Sequence, residues 1–235
     1  MRKYICEFIG TTFLVLTICA TAATGAPLAP LAIGAVLTAM IFAAGHISGA
    51  QFNPAVTVAV LIRGKMPASD VPGYLAAQVL GGLAGVGLAG AGGLQYTGKA
   101  LTISNGDLLG AAILETAVTF ALAYVVLNVA TSKDHPGNSF YGLAIGFTVL
   151  SGAIAVGPVT GGVFNPAVAV AVVTGGLISS SLLWLYLVTG LAGGALAAVA
   201  FRALNPDDID ETPEGGDDRV PAPRAADSEI AEGVR

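Results

Sequence analysis

The chain has 235 residues, of which 54% are hydrophobic and only 11% are charged, and its mean hydropathy is +0.78. Water-soluble domains of this length do not have such a composition, so we expect a protein of the lipid bilayer and exclude a soluble enzyme or a nucleic-acid-binding protein. The net charge of −5 belongs to the end of the chain, because residues 204–235 hold ten acidic and three basic side chains, whereas residues 1–203 hold five and seven.

Six continuous apolar runs follow one another along the chain, each about as long as a helix needs to cross roughly 30 Å of hydrocarbon. They cover residues 4–24, 31–47, 71–91, 108–130, 140–157 and 180–203. These runs lack the period-2 alternation of barrel strands, so we predict an all-α membrane protein with six transmembrane helices. Glu7 interrupts the first run, which we therefore interpret as a retained span and not as a cleaved signal peptide.

Basic residues in the short connections predict the orientation of the spans. If the chain crosses the membrane six times, one face receives Arg2, Lys3, Arg63, Lys65, Lys133 and Arg202. Only Lys99 falls on the other face. The positive-inside rule therefore predicts a multi-pass protein of the cell membrane with both termini in the cytoplasm.

The chain also has an internal repeat, and we expect its two halves to have opposite orientations in the membrane. Corresponding points of its two halves are separated by three spans, and an odd number of crossings inverts the second half relative to the first. We expect one domain over residues 1–203, with inverted repeats at about 4–91 and 108–203. The segment 204–235 is rich in Pro, Gly and Asp and lacks apolar periodicity, so we predict a disordered, acidic, cytoplasmic tail.

The clearest mark of this repeat is the step Phe-Asn-Pro-Ala-Val, which occurs at 52–56 and again at 164–168. Asn is a favoured N-cap, and Pro is tolerated at the first helical position because its missing N–H costs nothing there. Each copy is therefore expected to start a helix, which ends near Gly64 in the first copy and near Thr174 in the second. Such a helix rises about 15 Å, or half a bilayer.

Because the halves are inverted, the two short helices can meet end to end at the midplane. Their N-termini together project about one elementary positive charge, which repels cations without an ionised side chain. We predict a pore centre at this meeting point. Its expected residues are Asn53, Pro54, Ala55, Asn165, Pro166 and Ala167.

A glycine-rich stretch precedes each short helix. Its carbonyl groups cannot all be satisfied within a helix, and such backbone occurs at membrane depth only where it is buried in protein or lines a wet cavity. We expect these carbonyls to line the pore and the amides of Asn53 and Asn165 to donate to the solute. The predicted carbonyls are those of Gly49, Ala50, Gln51, Gly161, Gly162 and Val163.

Inverted repeats with broken helices also occur in secondary transporters, which are the alternative interpretation. The predicted spans contain no paired acid and base and no coupling-ion cluster, so a passive channel is favoured. The sequence also offers no nucleophile and base pair, and we expect neither a catalytic residue nor a metal or cofactor.

The sequence resembles the major intrinsic protein family, the aquaporins and glycerol facilitators, over residues 4–203. The resemblance rests on GHISGAQFNPAVT at 45–57, on TGGVFNPAV at 160–168 and on the glutamates Glu7 and Glu115, which open the two halves. It implies a passive channel for water and other small neutral solutes, built from six helices and two half-helices and assembled as a homotetramer. It also implies that both glutamates support the pore loops by accepting their N–H groups.

The resemblance further places an outer selectivity filter. By spacing from the two asparagines, its four positions are Ile33, Ala153, Gly162 and Val168. Water-selective members carry an aromatic residue, a histidine, a small residue and an arginine at these positions. The filter of this chain is therefore expected to be wide and apolar, unless Phe147 or Tyr141 intrudes. Water, glycerol, urea, ammonia, hydrogen peroxide and dissolved gases all remain candidate solutes.

Overall fold

The computed structural model describes residues 1–208, so most of the predicted acidic tail lies outside the described residues. The described residues form eight α-helices: α1 (Arg2–Thr24), α2 (Ala29–Ser48), α3 (Pro54–Arg63), α4 (Val71–Ala91), α5 (Leu108–Thr131), α6 (Tyr141–Thr160), α7 (Pro166–Thr174) and α8 (Leu183–Leu204). Single 3-10 turns lie at Ala68–Asp70, Ser180–Leu182 and Pro206–Asp208.

Six of these helices are long and apolar enough to cross a membrane, which confirms the predicted all-α fold with six spans. The helix bounds agree with the six predicted apolar runs to within three residues. The half-helices α3 and α7 have ten and nine residues. Ordered structure also continues past residue 203, because α8 ends at Leu204 and Asp208 in the following turn is buried.

Glycine ends the long helix that precedes each half-helix. Gly49 after α2 and Gly161 after α6 have φ angles of 78° and 91°, in the left-handed region that only glycine adopts without a steric cost. The chain can therefore leave each helix at membrane depth and form an irregular loop before the half-helix begins.

Close helix packing repeats in the two halves. In the first half, a Cβ atom on Gly81 of α4 would lie 2.4 Å from the carbonyl oxygen of Phe8 in α1. In the second half, a Cβ atom on Gly193 of α8 would lie 2.8 Å from the carbonyl oxygen of Thr116 in α5. Only glycine allows these backbones to approach so closely, so the glycine-rich runs serve helix packing.

The two halves meet along α2 and α6. A Cβ atom on Gly34 would lie 2.9 Å from the Leu150 Cβ atom, and one on Gly142 would lie 2.9 Å from the Phe42 ring. Residue numbers rise along one helix as they fall along the other, so the helices are antiparallel. This arrangement is what the predicted inverted repeat requires.

Candidate functional site

The half-helices α3 and α7 begin where the sequence predicts, at Asn53 and Asn165. The Asn53 side-chain oxygen accepts the Ala55 N–H at 2.9 Å, and the Asn165 side-chain oxygen accepts the Ala167 N–H at 2.9 Å. Both asparagines therefore cap a half-helix through their oxygen atoms, which leaves their amide nitrogens free for other partners.

Each amide nitrogen reaches across to the opposite half. Asn53 Nδ2 donates to the carbonyl oxygen of Phe164 at 2.9 Å, and Asn165 Nδ2 donates to the carbonyl oxygen of Phe52 at 2.8 Å. Phe52 and Phe164 have φ angles of 50° and 49°, which are uncommon for residues other than glycine. The reciprocal bonds join the two half-helix N-termini.

Glu7 on α1 holds the first loop. Its Oε1 atom accepts the Ser48 hydroxyl at 2.7 Å and the Gln51 N–H at 2.9 Å. Its Oε2 atom accepts the Phe52 N–H at 2.6 Å and the Gln78 side-chain amide at 2.9 Å. The residue is fully buried, and the four donors compensate for the cost of removing a carboxylate from water.

Glu115 on α5 contacts the second loop in the same manner. Its Oε1 atom accepts the Thr160 hydroxyl at 2.6 Å and the Val163 N–H at 3.2 Å, and its Oε2 atom accepts the Phe164 N–H at 2.9 Å. Glu115 is also buried. Both glutamates therefore accept hydrogen bonds from the N–H groups of a loop that precedes a half-helix.

A cavity of about 330 Å³ runs past this junction. Asn53 and Asn165 line it, as do all four predicted filter positions, namely Ile33, Ala153, Gly162 and Val168. Among the cavity-lining residues that the structure describes, none is Asp, Glu, Lys, Arg or His. The cavity wall is thus free of ionised side chains, while two helix N-termini point towards its centre.

Some of the predicted pore residues lie elsewhere. Ala50, Gln51, Gly161, Gly162 and Val163 line the cavity, but Gly49 does not; it ends α2, where its N–H donates to the Gly45 carbonyl oxygen. Four of the predicted pore-centre residues do not line the cavity either. They follow the two asparagines and are Pro54, Ala55, Pro166 and Ala167. They are buried against helices, so their contribution is to start the half-helices.

The two aromatic residues considered as intruders also stay outside the cavity. Phe147 is 56% exposed on the outer face of α6, and the Tyr141 ring packs edge-on against Phe42, with 5.1 Å between ring centroids. The aromatic residues that do line the cavity are Phe52 and Phe164, which precede the two asparagines, and Tyr96, in the loop between α4 and α5.

The same loop contributes Leu101, which pairs with the segment before α8. The Leu101 N–H donates to the Leu177 carbonyl oxygen at 2.9 Å, and the Ser179 N–H donates to the Leu101 carbonyl oxygen at 3.0 Å. No local sequence signal marks Tyr96 or Leu101 as cavity residues, and a contact between distant segments places Leu101 there.

Helical periodicity accounts for part of the remaining wall. Two stripes at four-residue spacing were not predicted: Leu37 and Ile41 on α2, and Ile145, Val149 and Gly157 on α6. They continue the stripes of the filter residues Ile33 and Ala153 and could have been found by following the helical period from them.

Comparison with known proteins agrees with this geometry. The family model for the major intrinsic proteins matches residues 1–201. A glycerol uptake facilitator-like protein of Lactiplantibacillus plantarum is 40% identical over 223 residues, covering 88% of this chain and all of that protein. Nodulin-26 of Glycine max is 34% identical over 214 residues, covering 86% of this chain and 77% of that protein.

A solved structure has the same fold. The X-ray structure of the aquaglyceroporin from Plasmodium falciparum superposes with a TM-score of 0.72 at 23% sequence identity, covering 87% of this chain and 97% of that one. Together with the family match and the relatives above, this likeness shows that the chain belongs to the major intrinsic protein family of membrane channels, which includes the aquaporins and glycerol facilitators.

Proposed function

We propose that the chain is a passive channel through which water and other small uncharged solutes cross the cell membrane by way of the central cavity. The observation that carries this proposal is the junction of α3 and α7, whose N-termini face the cavity through Asn53 and Asn165. Two N-termini supply about one elementary positive charge, which opposes cations and leaves neutral molecules unaffected.

The outer filter of this channel consists of Ile33, Ala153, Gly162 and Val168. Gly162 has a φ angle of 65°, and a Cβ atom there would lie 3.2 Å from the Gly157 Cα atom, so glycine is favoured at that position. The ring offers two branched aliphatic side chains and one methyl group, with no side-chain donor. We propose that it is wide and apolar, which suits glycerol, urea, ammonia, hydrogen peroxide or a dissolved gas as well as water.

We further propose that Glu7 and Glu115 support the loops and that the chain forms a homotetramer with cytoplasmic termini. The exposed groove between α2 and α6 supports the assembly, because Leu31, Leu143 and Phe147 on its rim are each about half exposed. The basic residues on the face of the termini support the orientation. In this proposal the inverted repeats form one channel domain and the acidic segment is its cytoplasmic tail.

A matched pair of variants tests whether solutes pass through this cavity. In Ala153→Trp an indole ring fills the cavity, whereas in Ile154→Trp the same ring replaces a neighbouring side chain that is 62% exposed and outside the cavity wall. Both proteins would be reconstituted in liposomes, and stopped-flow light scattering would measure water, glycerol and urea flux. We expect Ala153→Trp to abolish flux and Ile154→Trp to retain it.

Equal flux in the two variants would contradict the proposed route. The same liposomes distinguish a channel from a secondary transporter, because a channel shows neither counterflow nor accumulation driven by a proton gradient. Either of these effects in the unmodified protein would overturn the passive mechanism.

A further inference from the structure

The inverted repeat relates each cavity residue of one half to a residue of the other half. The two asparagines are 112 residues apart, and Gly34 on α2 and Gly146 on α6, whose backbones meet, have the same separation. The four outer filter residues, which we call the outer ring, therefore have four counterparts on the side of the chain termini. This inner ring consists of Ile145, Ile41, Ala50 and Val56.

All four residues of the inner ring line the same cavity as the outer ring. Ile33 in the outer ring and Ile41 in the inner ring are eight residues apart on α2, which corresponds to about 12 Å along the helix. A solute that crosses the cavity thus passes both rings in succession.

The inner ring is the more enclosed of the two. Its members are between 2% and 6% exposed, whereas Ile33, Ala153 and Gly162 in the outer ring are only partly buried and Val168 alone is buried. Side chains that line a cavity and still expose almost no surface leave little solvent-accessible space beside them. The free cross-section at this level is therefore small.

The inner ring also carries more side-chain volume. Ile145 and Ile33 are the same residue type, as are Val56 and Val168. The remaining two pairs differ, since Ile41 replaces Ala153 and Ala50 replaces Gly162, which adds four carbon atoms in total. Ala50 keeps its Cβ atom despite a φ angle of 46°, in the region where its counterpart is glycine.

We propose that the inner ring, and not the outer filter, selects solutes by size in this channel, with Ile41 and Ile145 as the specificity-determining residues. The proposal rests on the proposed function, because it assumes that solutes use the cavity. Gln51 supplies a polar contact on the same side: it lines the cavity, and its Oε1 atom is buried with no hydrogen-bond partner among the described residues. Its counterpart, Val163, is apolar. The inner side thus favours thin solutes that carry a hydrogen-bond donor.

The test compares Ile145→Ala with Ile33→Ala. The two substitutions are chemically identical and lie at positions related by the repeat, one in each ring. Water and glycerol permeability would be measured for both variants in liposomes, after their thermal unfolding in detergent had been compared with that of the parent. We expect Ile145→Ala to raise the ratio of glycerol to water permeability about tenfold and Ile33→Ala to raise it less than about twofold, in line with the discrimination given by a few methyl groups.

A second inner-ring variant guards against a folding defect. Ile41→Val removes one methyl group and is expected to raise the ratio in the same direction by a smaller factor, while Ile154→Ala, at an exposed position of α6 outside the cavity wall, serves as the control for substitution alone. The proposal is wrong if the parent conducts and Ile33→Ala raises the ratio at least as much as Ile145→Ala does. It is also wrong if neither variant changes the ratio. A parent that conducts no better than empty liposomes overturns the proposed function itself.

Discussion

The two halves of the protein hold their re-entrant loops with equivalent carboxylates, but the supporting residues on the equivalent helices α4 and α8 differ. In the first half, Gln78 on α4 donates to Glu7 and also to the Thr57 hydroxyl, at 2.9 and 3.0 Å. In the second half, the equivalent position on α8 is Gly190, where a Cβ atom would lie 3.0 Å from Pro166.

Two tyrosines establish this equivalence. Tyr74 on α4 donates its hydroxyl to the Ser48 carbonyl oxygen at 2.7 Å, and Tyr186 on α8 donates its hydroxyl to the Thr160 carbonyl oxygen at 2.6 Å. Gln78 and Gly190 each follow by four residues. Both loops are therefore held by a carboxylate and a tyrosine, but α4 adds polar bonds from Gln78 where α8 packs Gly190 closely against Pro166. An inverted repeat can thus keep one geometry with two different sources of stability.

The largest effect that separates the halves is expected from the glutamates. Glu7→Gln keeps the shape of the side chain but replaces one acceptor oxygen by an amide group, which faces N–H donors. Hydrogen bonds to a charged group are worth about 1.5–3 kcal/mol each, so we expect a loss of about 4 kcal/mol in the free energy of unfolding. Glu115→Gln is expected to cost about 1 kcal/mol less, because no side chain equivalent to Gln78 loses its acceptor.

Thermal unfolding in detergent would measure both variants against the parent. Equal losses, or a larger loss for Glu115→Gln, would show that Gln78 does not distinguish the two loops.

A second difference lies at the far ends of the half-helices. Arg63 at the end of α3 forms a buried ion pair with Asp208, with 2.7 Å between Nη2 and Oδ1, and its guanidinium group lies 4.7 Å from the centre of the Phe201 ring. The equivalent position at the end of α7 is Gly175. Removing one partner of a buried pair leaves the other unpaired, so Asp208→Asn is expected to cost about 3 kcal/mol.

This effect should depend on pH. Burial alone would raise the pKa of Asp208. Hydrogen bonds from the Lys133 N–H and the Ser132 side chain, together with Arg63, have the larger effect, so the pKa lies below its ordinary value. The ion pair therefore stabilises the fold fully above the ordinary pKa of about 4, and this contribution is lost as the pH falls through the lowered value. The difference in unfolding temperature between parent and Asp208→Asn should shrink on acidification. A difference that stays constant down to the lowest pH at which the protein remains folded would contradict this account.

The smallest effect is expected at the supporting position itself. Gln78→Leu removes one donor from Glu7, which keeps three others, and it also removes the buried, unpartnered Gln78 Oε1 atom. We expect a net loss of about 1 kcal/mol. Gly190→Ala should cost about 1–2 kcal/mol for a different reason, because its methyl group crowds Pro166.

Combining each substitution with the glutamate variant of its own half tells the two mechanisms apart. Gln78→Leu should cost little in a Glu7→Gln background, whereas the cost of Gly190→Ala should be unchanged in a Glu115→Gln background. Additive losses in both halves would contradict a polar role for Gln78.

The sequence predicts much of this architecture because its signals are local or repeated. The asparagine caps, the proline starts and the two intramembrane glutamates each follow from a residue type in a defined setting. The outward position of Phe147 could also have been predicted, since it is two residues after the cavity-lining Ile145 and therefore about 200° away around α6. Leu101 and Asp208 could not, because each is placed by contacts between segments that are distant in sequence.

The central claim is that the paired half-helix N-termini exclude cations from the pore, and substitution of the capping asparagines tests it most directly. Asp is as good an N-cap as Asn, so Asn53→Asp and Asn165→Asp should preserve the half-helices while placing a negative charge against their positive ends. Proton and potassium leak would be measured in liposomes alongside water flux, with the parent as reference. We predict that both variants still conduct water. Their cation leak should rise about tenfold, because the carboxylate offsets the positive charge of the half-helix N-termini and so lowers the barrier to cations. Unchanged cation leak in two variants that conduct water would contradict the claim.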